Sequence, residues 1–422
     1  MQHPHLKSLS GYAAKAVEEK NGELTFSCIG TTTPSACPHC QSTRFSQWGS
    51  RQRQVVDAPY EGRLVILSIE QLRYRCKDCS RTFMQPLEHV GEKKYTARLS
   101  ELLISAAMRT SFADVTTQFQ IPETTVAQVF HQHVERLDKT CLPARYADAP
   151  MLAISWARMV GIKTGKGRGA RTMLVANASA GTLIDIIDLP AEDEHGPAAE
   201  LRDKLTWCTD QTLAWVSMPP WPWARDAVRA ATPGCTISIE HDFVMRLAMD
   251  CCHDFLRASR TAEASNRHRG AAGELTLMAT AYQQLSDGQR QALQRLQERF
   301  PQHRHAHAAL QGLRAVYEAS TADTAATALE STVGLTAELP AFGPLHQLLI
   351  DWRAEVLAHT QAPSRIRSAI EQMARLRDEL PALSRGNSYL AARASVLYGG
   401  SEGTAHAPRL DQLAKRLSAG KL

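Results

Sequence analysis

Four cysteines in two matched pairs are the residues of this chain best suited to chemistry: Cys37-Pro38-His39-Cys40 and, after 35 intervening residues, Cys76-Lys77-Asp78-Cys79. A C-x2-C pair on a tight turn aims two thiolates at one point. Two such pairs supply the closed tetrahedral sulfur shell that structural Zn²⁺ prefers. The spacing therefore predicts a zinc ribbon with Cys37, Cys40, Cys76 and Cys79 as ligands. A redox role is not indicated, because no βαβ pattern follows either pair. The segment between the pairs reads as ribbon strands, a short one at Val55-Val56-Asp57-Ala58-Pro59 and a long one over 63–75, with a bend at Tyr60-Glu61-Gly62.

Charge suggests what such a ribbon meets. Between Arg44 and Arg98 there are eleven Lys/Arg and six Asp/Glu, a surplus equal to the +5 of the whole chain. Arg51, Arg53, Arg73, Arg75, Lys77 and Arg81 cluster around the metal turns, and fixed cations of this kind neutralise phosphates and release counterions. Downstream, SFADVTTQFQIPETTVAQVF reads as a short helix capped by Ser111 and carrying Ala113, Val115 and Phe119. A turn at Gln120-Ile121-Pro122 and a second helix with Val129 and Val134 inward follow. That is helix-turn-helix geometry, in which Glu123, Thr124, Thr125 and Gln128 are placed to approach base edges. Double-stranded DNA is thus the expected partner, bound by a homodimer.

Other chemical-looking clusters have plainer readings. His131 and His133 stand two apart on a helix and face different ways. Cys251-Cys252-His253-Asp254 lies in a helix, where adjacent cysteines do not chelate one ion comfortably, so it reads as packing. The basic turn Lys163-Thr164-Gly165-Lys166-Gly167-Arg168 lacks the spacing of a phosphate loop.

These residues need elements to hold them. With 422 residues, 44% of them hydrophobic and 22% charged, the chain can build large cores. Its N-terminus has no apolar leader core, and no run long enough to span a bilayer occurs, so no membrane association and a cytoplasmic, nucleoid-associated location are expected. Cys28, Cys141, Cys208, Cys235, Cys251 and Cys252 stand in apolar contexts, as reduced thiols do. Residues 11–30 read as a hairpin turning at Lys20-Asn21-Gly22, and Tyr95-Thr96-Ala97-Arg98 introduces a helix. Leu142-Pro143-Ala144-Arg145 reads as a linker. Beyond it come a strand at Met151–Ile154, a hairpin of 171–176 with 183–189, a helix at 200–205, a strand at 213–216, a helix at 223–231 and a strand at 236–239. Three antiparallel strands followed by alternating helix and strand is an RNase H-like order. From Phe243 to Arg393 the periodicity is helical, with loops at 260–273 and 339–344. The fold class is therefore α/β plus α.

The chain resembles insertion-sequence transposases of the ISL-three group. CPHC, VVDAPYEGRLV, RYRCKDCSRTF, SFADVTTQFQIPETTV, LAIS, WVSMPPWPWARDAVRAATPGCTISI, ERFPQHRHAHAALQGLRAVYEAS, WRAEVLAH and RGNSYLAARASVLYGG carry the likeness. It implies a lead-in hairpin and zinc ribbon over 1–90, and a helix-turn-helix domain over 91–148. An RNase H-like domain over 149–258 and 345–422 would be interrupted by a helical insertion over 259–344. Such enzymes cut and join DNA with two divalent ions held by three carboxylates. The positions for the first two acids hold Ser155 and Ser217 here, and no Asp or Glu lies between Pro150 and Leu183. Glu240 and Glu371 are the remnants to consider, with Glu371 at the third position. Three readings follow from the residues: a DNA-bound regulator or structural component without catalysis, holding structural Zn but neither Mg nor Mn; an active transposase with divergent carboxylates; or a zinc-ribbon protein with a protein-binding role.

Overall fold

The computed structural model describes residues 5, 9–90, 94–164, 167–189, 197–208, 213–261, 271–383, 388–399 and 406–419. They divide into two compact units, 1–137 with 386–395 and 138–385 with 396–422. No helix among the described residues is long and apolar enough to cross a membrane.

In the first unit, β1 (Tyr12–Lys20), β2 (Glu23–Gly30), β3 (Phe45–Tyr60), β4 (Arg63–Cys76) and β5 (Thr82–Met84) form one mixed sheet, ordered β1-β2-β4-β3 with β5 on β4. Both long hairpins turn on a pair of left-handed residues, Asn21 and Gly22 (φ 53° and 78°) and Glu61 and Gly62 (φ 50° and 76°), whose twist matches that of the strands. The strand expected to begin at Val55 starts ten residues earlier, at Phe45, because its outer half pairs with β4 although it buries little. β2 runs parallel to β4, which brings the lead-in hairpin into the ribbon's sheet. Along β2 alternate residues are buried, and Leu24, Phe26 and Cys28 pack with Val55, Val65, Leu67 and Ile69 in a core separate from the cysteines.

Thr96 caps α1 (Ala97–Ala107), its Oγ1 accepting the Leu99 N–H at 3.3 Å. Ser111 caps α2 (Phe112–Phe119) in the same way through Asp114 N–H at 3.2 Å. Gln120 ends α2 in the left-handed conformation, and α3 (Glu123–Ala147) follows Ile121-Pro122. Val115, Val126, Val129, Phe130 and Val134 are buried, as the apolar period requires. Ala113 is not; it is exposed, and the half-buried Phe112 and Phe119 flank Val115 instead. The expected linker at Leu142–Arg145 is helical. α3 continues through Pro143, and the boundary between the units falls within it. Leu142 and Tyr146 are buried in the second unit's core, and that burial outweighs the one backbone hydrogen bond a proline removes.

The second unit has a sheet of β6 (Met151–Thr164), β7 (Gly167–Asn177), β8 (Thr182–Leu189), β9 (Trp215–Met218) and β10 (Thr236–Ile239), ordered β8-β7-β6-β9-β10. β6, β7 and β8 are antiparallel neighbours, while β9 and β10 run parallel to β6. The first strand therefore extends well past Ile154, and Ser155 lies within it rather than at its end. Gly165 and Lys166 of the basic turn lie outside the described residues. One sheet face, with Leu152, Ile154, Val175, Val216 and Ile237, packs under α4 (Ala198–Leu205) and α5 (Pro222–Ala231).

After β10 the chain is helical: α6 (His241–Thr261), α7 (Ala271–Ala279), α8 (Asp287–Arg299), α9 (Pro301–Glu318), α10 (Ala322–Ala337), α11 (Gly343–Asp351) and α12 (Arg353–Ala358). They share a core that includes Cys251, Cys252, Leu310, Leu329, Phe342, Leu349 and Val356. The loop expected at 339–344 is a 3-10 turn, Pro340–Phe342, leading directly into α11 because Phe342 is fully buried. Most of the loop expected at 260–273 lies outside the described residues. α13 (Ser364–Leu383) packs on β6 and on α15 (Leu410–Ser418), with α14 (Tyr389–Tyr398) between them in sequence.

Candidate functional site

Two centres hold the residues singled out above. In the first unit, the sulfurs of Cys37, Cys40, Cys76 and Cys79 all lie within 4.8 Å of one another. Cys37 and Cys79 are 3.7 Å apart and Cys40 and Cys76 3.6 Å. A tetrahedron with Zn–S of about 2.3 Å requires sulfur separations of roughly 3.8 Å, so the donor set fits one Zn²⁺. The two turns are built alike. The N–H of each leading cysteine donates five residues on, Cys37 to Ser42 O at 2.8 Å and Cys76 to Arg81 O at 2.9 Å. The residue after each closing cysteine, Gln41 (φ 60°) and Ser80 (φ 60°), is left-handed. The Cys79 and Asp78 backbone N–H groups lower the Cys76 thiol below its ordinary range and favour the thiolate a metal needs. Phe45, Tyr74 and Phe83 pack beside the sulfurs with ring centroids 5.4 to 5.8 Å apart. Asp78 joins the turns by accepting from Ser42 and Arg44.

The register collects the expected basic residues. Arg51 lies opposite Gln71, Arg53 opposite Ile69, Gly49 opposite Arg73 and Ser46 opposite Arg75, so Arg51, Arg53, Arg73 and Arg75 share one face of β3 and β4. Nearer the bend, the same face buries Val65, Leu67 and Ile69. Arg51 donates to Gln71 Oε1 from Nε at 3.3 Å and from Nη2 at 3.2 Å, and Arg73 donates to Thr82 Oγ1 at 2.9 Å. Lys77 and Arg81 are exposed on the second cysteine turn. Sequence reasoning missed Trp48, which stands at a bulge between Gln47 and Gly49 and is 58% exposed, with the Arg75 guanidinium 4.8 Å from its ring centroid. An indole in an otherwise polar strand segment was the available signal. On α3, Glu123, Thr124 and Gln128 are exposed; Thr125, expected to be exposed, is half-buried because it sits over the turn whose Pro122 carbonyl binds its N–H at 2.9 Å.

Asp57, part of the VVDAPY stretch, is fully buried. It accepts from Thr96 Oγ1 at 2.6 Å and Arg98 Nε at 2.8 Å, and His5 Nε2 lies at 2.9 Å. Burial alone would raise its carboxyl, but the hydrogen bonds from Arg98, His5 and Thr96 outweigh it and hold the group well below the usual range. This residue ties the sheet to α1.

The second centre lies at the carboxyl ends of β9 and β10. Ser155, Ser217 and Ser238 are on the sheet face opposite the α4–α5 core, by the pairing of Ser217 with Ala153 and Ser238. Glu240, one residue past β10, is fully buried and accepts from Ser155 Oγ at 2.9 and 3.1 Å. Arg377 of α13 places Nη1 3.6 Å from Glu240 and Nη2 3.8 Å from Asp242. The guanidinium carbons of Arg377 and Arg246 lie 5.6 and 5.1 Å from the Trp156 ring centroid. Burial pushes the Glu240 carboxyl up to about 7, against the opposing pull of the Ser155 hydrogen bond and the Arg377 and Arg246 charges.

Residues 162–373 match the ISL3 model of DDE transposases, described as "Transposase", and residues 33–79 match the model described as the zinc-finger of transposase IS204/IS1001/IS1096/IS1165. The chain belongs to the ISL3 transposase family. No curated protein matches it. The ribbon of this ISL3 family member is therefore a structural zinc site, and the four cysteines are the residues that fit the ion. The divalent ions expected of a DDE centre fit poorly here. Glu371 is exposed on α13, and the residue of that helix beside Glu240 is Arg377, six positions on. Among the described residues, no group of three or more His, Cys, Asp or Glu side chains besides the four cysteines comes close enough to share a metal ion. Asp210, the acid that precedes β9 and its Ser217 in sequence, lies outside the described residues. No signal in the sequence marked Arg377 or Arg246, since a basic residue on a polar helix face has no distinguishing context.

Proposed function

We propose that this ISL3 family protein is a transposase-derived DNA-binding protein whose catalytic centre is silent, and that it acts as a DNA-bound regulator or structural component. The observation that carries the reading is the Ser155–Glu240–Arg377 arrangement. A guanidinium and a hydroxyl occupy the surroundings of the buried Glu240, where a two-metal centre needs carboxylates that offset about four positive charges. A hydroxyl supplies no negative charge, and Arg377 repels a cation. The order β8-β7-β6-β9-β10, three antiparallel strands continued by two parallel ones, supports an RNase H-like domain, with the helices α7–α10 inside 259–344 as its helical insertion.

The DNA-binding half has separate support. α2, the three-residue turn and α3 have the succession of a helix-turn-helix, and the exposed Glu123, Thr124 and Gln128 open its second helix. The arginine face of β3 and β4 supplies phosphate contacts. Double-stranded DNA is the partner in this reading, bound by a homodimer at nucleoid loci.

Purified protein incubated with candidate element ends and Mg²⁺ or Mn²⁺ tests the catalytic half of the proposal. It should bind DNA in a salt-dependent manner and cut nothing, and Glu371→Gln should change neither result. Metal-dependent strand cleavage abolished by Glu371→Gln restores the active-transposase reading. Absence of DNA affinity at low salt instead leaves the ribbon as a protein-interaction module.

A further inference from the structure

Two helices of the first unit present matching stripes to one cavity. Ala97, Ser100, Glu101 and Ile104 of α1 stand at positions i, i+3, i+4 and i+7, and Val129, Gln132, His133 and Arg136 of α3 repeat that spacing. Each set is therefore one face of its helix. Between the faces lies a cavity of about 340 Å³, within the range of small-molecule sites, and the segment before α1 forms a third wall through His89, Val90 and Tyr95. That wall is fixed by the backbone. The Thr96 N–H donates to Val56 O at 3.0 Å and the Ala97 N–H to His89 O at 2.6 Å. Helices packed only for stability would close such stripes with apolar side chains. Here the floor is apolar, with Val90, Tyr95 and Val129 buried, while Glu101, Gln132 and Arg136 are exposed at the rim.

The rim charges are opposite in sign and come from different helices. On α3, Arg136 Nη2 lies 2.9 Å from His133 Nδ1. A guanidinium only donates, so Nδ1 accepts, the imidazole is neutral and its hydrogen sits on Nε2 as a further donor. Partial burial and the neighbouring Arg136 charge both disfavour the imidazolium and agree with that state. The α3 wall thus offers a cation and a neutral donor to an anion, and the α1 wall offers the Glu101 carboxylate to a cation. We propose that this cavity binds a zwitterionic α-amino acid with an apolar side chain, its carboxylate on Arg136 and His133, its ammonium on Glu101 and its side chain over Val90, Tyr95 and Val129. A simple anion or a simple amine satisfies one wall only. Gln128, at the DNA-facing start of α3, directly precedes Val129, so a ligand in the cavity bears on the helix that carries the DNA contacts.

Calorimetric titration and thermal unfolding of the full-length protein test the site with L-leucine and L-phenylalanine. Each is compared with the acid that lacks its ammonium (isocaproate, hydrocinnamate) and the amine that lacks its carboxylate (isoamylamine, phenethylamine). At about five times its Kd, the amino acid should raise Tm by about 2–4 °C, and each truncated probe should bind roughly tenfold more weakly. Arg136→Gln should weaken the amino acid and the acid roughly tenfold and leave the amine unchanged. Glu101→Gln should weaken the amino acid and the amine and spare the acid. Both side chains are exposed, so neither change threatens the fold. Failure of both amino acids to bind overturns the proposal, as does equal binding by wild type and the two variants. An acid that binds as tightly as its amino acid also overturns it, because Glu101 then holds nothing. Bound amino acid should in addition change DNA affinity by at least about fivefold. That arm alone rests on the DNA-binding reading: unchanged DNA affinity beside intact amino-acid binding refutes the coupling, and a protein without DNA affinity still reports on the cavity through the titrations.

Discussion

Replacing Arg377 by Ala should destabilise the second unit in a manner that depends on pH. Arg377 Nη1 lies 3.6 Å from a fully buried Glu240. Two unit charges at that separation attract by roughly 4–5 kcal/mol at an effective dielectric of about 20. Arg246 remains near the carboxylate, so the net loss in the variant should be about 3 kcal/mol where Glu240 is ionised, toward the lower end for breaking a buried pair. Burial raises Glu240 from its ordinary range to about 7. The neutral form therefore contributes stability that is fully present below about pH 4.5 and is lost as pH rises through 7. At pH 8.5 the carboxylate depends on Arg377. At pH 5.5 it is neutral, and the same substitution should cost less than about 1 kcal/mol, mainly the contact with the Trp156 ring. Urea unfolding followed by tryptophan fluorescence reads the relevant unit, because six of the seven tryptophans lie in it. Equal penalties at pH 5.5 and pH 8.5 would show that Glu240 is not what Arg377 serves, and the account of the centre would fall.

Chelation of zinc should unfold the cysteine turns and the Phe45–Tyr74–Phe83 cluster without dissolving the separate core of Phe26, Val65, Leu67 and Ile69; hydrogen exchange should accelerate at 72–84 and stay slow at 64–69. Metal analysis should find about one zinc per chain, and a Cys37→Ser or Cys76→Ser protein that keeps full zinc content would contradict the site. Asp57→Ala strips Arg98 of its buried partner and should destabilise the first unit by about 3–5 kcal/mol, measured by thermal unfolding; a loss under about 1 kcal/mol would mean that water replaces the carboxylate at no cost. Arg73→Ala or Arg75→Ala should weaken binding to all DNA sequences alike and reduce the salt slope by about 1, whereas Thr124 or Gln128 substitutions should alter sequence preference, as a binding series across salt concentrations and sequences would show.

The sequence by itself determined the zinc site, because metal ligation needs one residue type at one spacing and Cys37, Cys40, Cys76 and Cys79 offer nothing else to explain. It also determined the helix starts at Thr96 and Ser111 and the hairpin turns at Asn21-Gly22 and Glu61-Gly62, all local chemistry carried by a few adjacent residues. The strand and helix succession from Met151 to Ile239 was legible for the same reason, although Ser155 proved to be inside a strand that runs on to Thr164. Tertiary structure alone decided what periodicity cannot express. The parallel pairing of β2 with β4 joins segments about 40 residues apart through backbone groups that every residue carries. Helix α3 passes through Pro143 because Leu142 and Tyr146 find a distant core. Glu240 meets Ser155 from 85 positions away, and Arg377 arrives from further still, one basic residue among many on a polar helix until packing buries it beside a carboxylate. Residue type and short spacing fix local geometry; which charges share a desolvated site depends on contacts distant in sequence, and no local pattern encodes them.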